Sequence, residues 1–202
     1  MTDDRVPAAR WGDRPESVSG CAGRLALSLT GLAALHPGLR EWNGLVGDDG
    51  SVPPGSWPLR PEPAELERFV RAGDEGRWGF RLSVLSPSLD LPMSVDSGRE
   101  GMWDIENSAF LWFRDPAGSV VRDLGPEVIE GPPAAVVEAW EPEWATFIGL
   151  SAWEAEGGWR RSRPIGLATY VAGSPAEILA EVPGLAVRDL GRGVLLTRPW
   201  AG

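Results

Sequence analysis

The hydrophobic pattern changes its period partway along this chain, and that change restricts the fold more than any other feature. Val18, Cys21, Ala22, Leu25, Leu29 and Leu32 recur at the three- and four-residue spacing of one helical face. From Trp78 the spacing becomes two: Trp78, Phe80, Leu82 and Val84 alternate with Gly79, Arg81 and Ser83, and Leu89, Leu91, Met93 and Val95 alternate again. Helices early and strands in the middle and at the end, without regular helices between the strands, predict an α+β fold. The expected architecture is a single domain over residues 1–202, core about 8–198, with an N-terminal helix packed on a mostly antiparallel sheet. A chain of 202 residues buries roughly 70% of its unfolded surface and needs neither disulfide nor metal to hold a core.

The boundaries follow from local chemistry. Asp13 is placed as the N-cap of the first helix, with Pro15 in its first turn and Glu16 completing a capping-box-like start. His36-Pro37-Gly38 ends that helix, and a cationic His36 there suits the negative end of the helix dipole. Glycine, proline and acids from Gly44 to Pro63 predict mostly loop, followed by a short helix over Ala64–Ala72 whose buried face is Leu66, Phe69 and Val70. Pro92 inside the second alternating run predicts an edge or a bulge. Ala109–Phe113 reads as a buried strand, Pro126–Pro133 as a loop, Ala134–Trp140 as a short helix stopped by Glu141-Pro142, and Ala145–Leu150 as a strand. A charged loop is expected over Ala152–Pro164. Strands are expected over Gly166–Ala172 and Val194–Arg198, with Gly191-Arg192-Gly193 as the turn before the last.

Composition narrows the function classes. The net charge is −10 and all 19 basic residues are arginine. An acidic surface repels phosphate backbones, so direct nucleic-acid binding is not expected and a basic protein partner is. One Cys and one His cannot supply the three or four ligands of a zinc site. No G-x-S-x-G elbow is present, and a P-loop requires a lysine the chain lacks. Carboxylate pairs such as Asp48-Asp49, Asp104 with Glu106, and Glu154 with Glu156 arise readily among 29 acids. No catalytic residue, metal ligand or cofactor is therefore assigned. The acidic, polar opening Met1–Arg5 predicts no signal peptide. The apolar stretch Leu25–Leu35 is shorter than the roughly 20 residues of a membrane span, so a cytoplasmic protein is expected.

The order of motifs carries a resemblance. Arg10-Trp11-Gly12-Asp13-Arg14-Pro15-Glu16-Ser17, running into the Cys21/Leu25/Leu29/Leu32 helix and then His36-Pro37 and Trp42, resembles the opening of the immunity protein 52 family of bacterial polymorphic toxin systems. Ala139–Trp144 resembles that family's Trp-x-Pro-acid-Trp stretch, and Leu190–Leu196 its final hairpin. Gly166–Tyr170 resembles its late strand, with Leu167 where a tryptophan is expected. The resemblance covers residues 8–198 and is weakest from Gly44 to Pro63. It implies an α+β fold, no catalysis and no cofactor. It also implies tight binding to a cognate toxin, often a restriction-endonuclease-like nuclease domain.

Physics suits such a role. Opposite charge steers encounter, and desolvated aromatic anchors slow dissociation. The residues expected to meet the partner are Asp48, Asp49, Glu138, Glu141 and Glu143, with Trp140 and Trp144 serving either as anchors or as core at a helix-to-strand corner. Two other functions fit the same sequence: a carboxylate-dependent hydrolase, and a structural or adaptor subunit with a large apolar patch. The sequence does not fix the oligomeric state.

Overall fold

Seven residues that the hydrophobic pattern leaves without an element open the structure. In the computed structural model, which describes residues 5–45, 57–76, 79–99, 107–113, 127–155 and 165–198, strand β1 (Arg5–Trp11) lies inside the sheet. Val6 and Ala8 face one side, Ala9 and Trp11 the other, and all four are buried. A strand covered on both faces shows no alternation, and Pro7 disguises it further.

Helix α1 (Val18–Leu35) follows, capped by Ser17, whose Oγ accepts from the Gly20 N–H at 3.0 Å. The expected cap at Asp13 is therefore corrected by four residues. Glu16 is taken up instead by Arg14 and Arg24, each with Nε 2.9 Å from its Oε1. Cys21, Ala22, Leu25, Ser28, Leu29 and Leu32 form the buried face, as the spacing requires. The helix is long and apolar enough to meet a membrane-span criterion by length and composition, a length the stretch Leu25–Leu35 alone does not show; its apolar stripe is spent on the core of the domain. At its end His36 Nδ1 accepts from the Gly38 N–H at 3.0 Å. The ring thus caps the following 3₁₀ turn (Pro37–Leu39).

The region read as loop around Gly44–Pro63 contributes two short strands, β2 (Trp42–Leu45) and β3 (Trp57–Leu59), with 46–56 outside the described residues. Helix α2 (Pro63–Ala72) buries Leu66, Phe69 and Val70 as expected. Strands β4 (Phe80–Ser86) and β5 (Leu91–Ser97) realise the alternating runs, Trp78 lying outside the described residues. β5 is neither an edge strand nor bulged: it lies between β4 and β6 (Asn107–Leu111) in regular register, Leu85 opposite Pro92 and Met93 opposite Leu111. Pro92 is tolerated because its carbonyl still accepts from the Trp112 N–H at 2.9 Å, where the β6 pairing ends, so only one terminal ladder bond is lost.

Helix α3 (Glu127–Trp140) overturns the loop expected over Pro126–Pro133, because Pro132 and Pro133 lie inside it. Each proline removes an intrahelical donor, yet both are buried, which offsets the loss. Strand β7 (Trp144–Gly149) runs directly into a short helix α4 (Leu150–Ala155); the rest of the charged segment expected there, 156–164, lies outside the described residues. β8 (Ala168–Ala172), helix α5 (Ala176–Glu181), β9 (Ala186–Asp189) and β10 (Gly193–Thr197) complete the chain, with α5 and β9 beyond what the pattern indicated.

The ten strands form one sheet in the order β3-β2-β4-β5-β6-β1-β7-β8-β10-β9, and every described pairing is antiparallel. α1, α2 and α3 cover one face over the main core. The other face carries a smaller cluster of Val6, Ala8, Phe110, Trp144, Ile148 and Trp153, with Trp153 supplied by α4.

Candidate protein-binding surface

α3 presents one stripe to the outside. Glu130, Ala134 and Glu138 stand four residues apart and so share a helix face, opposite Ile129, Val136 and Trp140, which are buried. A shallow cleft lies on each side. One, of about 610 Å³, is floored by Gly31, Ala34 and Leu35 of α1. The other, of about 410 Å³, reaches Tyr170, Leu190 and Arg192. Ala134, Glu138 and Arg188 line both, so the two clefts flank a single ridge. Small residues shape it: a Cβ on Gly31 would come within 3.0 Å of Ala135 Cβ, so α1 and α3 approach closely.

The acids on this ridge differ in their freedom. Glu130 Oε2 lies 3.4 Å from Arg188 Nη1. Glu138 is exposed and has no ion partner among the described residues. Glu141 follows α3 with φ +49°, and its N–H donates to the Val137 carbonyl at 2.9 Å, a left-handed helix terminus of the kind glycine usually supplies. What holds it there is a set of arginines. Glu141 Oε2 lies 3.3 Å from Arg24 Nη2 and 4.0 Å from Arg14 Nη1, and Oε1 pairs with Arg192. Through Arg14, Arg24 and Glu16 this cluster joins the start of α1 to the end of α3, and through Arg192 it reaches the β9–β10 turn. Burial, with Arg24 adding to it, lowers the Arg14 pKa against the pull of Glu16 and Glu141. Burial raises the pKa of the Tyr170 phenol below, where Arg192 and Glu141 act in opposite senses.

The expected partner residues therefore separate. Glu138 and Glu141 line the same cleft. Glu143 is exposed, and its Oε1 accepts from the Gly12 N–H at 3.3 Å beside the end of β1. Asp48 and Asp49 lie outside the described residues. Trp140 and Trp144 are corrected from anchor candidates to core residues, at 0% and 2% exposure. Trp140 stacks on Trp11 at 5.5 Å and donates through Nε1 to Ser28 Oγ at 2.7 Å. Trp144 stacks on Trp153 at 6.2 Å within the opposite cluster. The segment Trp140–Trp144 thus passes from one side of the sheet to the other, and each end is anchored by its indole. Glu130, Arg14, Arg24, Arg192 and Tyr170 escaped the sequence reading. No residue spacing brings positions 14, 24, 141 and 192 together; only the sheet order does. No three His, Cys, Asp or Glu side chains among the described residues form a metal-binding set.

No family model matches the chain, so the resemblance to the immunity protein 52 family has no support of that kind; nor does any curated protein match it in sequence. Among solved structures the fold is similar to that of the Pseudomonas aeruginosa T6SS protein PA0821, with a TM-score of 0.54 and 13% identity over 96% of this chain and 66% of that one. The chain thus spans just under two thirds of that protein's length, and what the two are shown to share is the α+β fold.

Proposed function

We propose that this chain is an immunity protein that binds and neutralises a cognate bacterial toxin in the cytoplasm, without catalysis of its own, and that the toxin is a restriction-endonuclease-like nuclease domain. The observation that carries the reading is the α3 ridge. Its central carboxylate, Glu138, is exposed between two clefts and has no ion partner among the described residues, in a chain of net charge −10. A nuclease concentrates positive charge where it holds phosphates, and an unpaired acid on a firmly packed helix complements that charge without loop ordering. The likeness of fold to a T6SS protein supports a setting in bacterial competition, and the order of sequence motifs supports the immunity role.

Co-expression tests the reading. Cells that carry a candidate toxin domain, sought among the genes beside this one, are expected to survive when this chain is present, and the purified pair to elute as one complex. Death of the cells despite abundant folded chain, or failure of the two proteins to bind, contradicts it.

A further inference from the structure

The described sheet ends in two edge strands that are finished differently. β3 has three residues and carries Pro58, a common guard against further pairing. β9 has no proline, and all four of its residues, Ala186–Asp189, are exposed. Val187, at 53%, is one of two large hydrophobic side chains so exposed among the described residues. The Leu190 N–H donates to the Gly193 carbonyl at 2.9 Å, which sets the phase of the hairpin. Arg188 opposite Leu195 and Ala186 opposite Thr197 are then the hydrogen-bonded pairs. Val187 and Asp189 therefore turn their N–H and C=O groups outward, where no further strand pairs among the described residues. From Gly173 to Leu190 no residue is buried, although the segment includes Ile178, Leu179 and Val182.

We infer that β9 is a docking edge, to which an extended segment of a basic protein partner adds as the next strand of the sheet. This rests on the functional reading above and names how that partner is held. Charge selects the occupant. Arg188 of β9 lines both clefts of the α3 ridge and pairs with Glu130, so a strand on this edge lies beside Glu138, the ridge carboxylate with no ion partner among the described residues. Asp189 also stands exposed at the edge. A second copy is disfavoured because it brings a further −10. Of the three symmetric registers open to Val187 and Asp189, two set Arg188 against Arg188 or Asp189 against Asp189, which is repulsive.

The test uses the full chain and the purified toxin domain that it protects against in the co-expression assay. Hydrogen–deuterium exchange is expected to show the amides of Val187 and Asp189 protected only in the complex. Val187→Pro removes an outward N–H and no β9–β10 ladder bond, and is expected to weaken binding about tenfold or more, whereas Val187→Thr binds like wild type. If Val187→Pro does not fold, exchange on the wild-type chain decides. Free exchange of both amides in the complex, or equal affinity of a folded Val187→Pro, overturns the docking edge and leaves the functional reading standing. No complex with the wild-type chain overturns both. Protection that grows with protein concentration in the absence of toxin identifies a second copy as the occupant and overturns the proposal.

Discussion

Replacing Ser28 by alanine probes the joint between α1 and α3 with one atom. Ser28 Oγ accepts from Trp140 Nε1 at 2.7 Å, and both residues are 0% exposed. Ser28→Ala leaves the indole N–H buried without its acceptor, which costs about 1–3 kcal/mol. For a chain of this size each kcal/mol moves Tm by roughly 2–4 °C, so the expected fall is about 2–12 °C. Thermal unfolding followed by circular dichroism measures the fall, and urea unfolding the free-energy cost. A double-mutant cycle isolates the cause. In a Trp140→Phe background no indole N–H is left to orphan, so Ser28→Ala is expected to cost much less there. Equal costs in the two backgrounds would refute the argument, since the serine would then matter only through packing.

Leu29→Ala, on the buried face of α1 at 4% exposure, is expected to cost about 2–5 kcal/mol in a denaturant melt; a change below about 0.5 kcal/mol would mean the wrong face. Burial pushes the Cys21 thiol up to about 12, so it is expected to resist alkylation at pH 8 in the folded chain and to react on unfolding. The folded pKa is raised, so the stability linked to it is complete below about pH 8.5, where the unfolded thiol titrates, and is lost as pH rises towards 12. A Cys21→Ala chain, whose melts lack that part of the alkaline decline, checks this. Glu141→Arg is expected to lower Tm, because it sets a fourth guanidinium against Arg14, Arg24 and Arg192, whereas Glu138→Arg leaves Tm unchanged. The purified chain is expected to turn over no DNA, RNA or ester with divalent metal; activity abolished by one carboxylate mutation would favour the hydrolase.

The elements legible in the sequence were those whose side chains face two different environments. α1, α2 and β4 each have one wet and one dry face, so Leu25, Leu66 and Leu82 announce themselves by spacing. β1 was illegible because Ala8 and Ala9 are both buried, and the first half of α3 because its prolines argue locally against a helix that tertiary packing retains. Pro92 misled for the same reason: the penalty is local, while the register that absorbs it belongs to the sheet. At the candidate surface, Glu138 was legible as an acid on a helix. The role of Glu141 was not, because its partners come from three separate elements. Trp140 and Trp144 were recognisable as a pair, yet only the structure places them on opposite faces of the sheet.

The association rate of this chain with its toxin tests the central claim most directly. Stopped-flow measurements from about 50 to 500 mM salt span the range in which screening becomes strong. The account predicts association that slows steeply as salt rises while dissociation changes little, and a Glu138→Arg chain that associates more slowly at low salt with an unaltered fold. A rate independent of salt, and equal for wild type and Glu138→Arg, would contradict it and leave the −10 charge with a role in solubility alone.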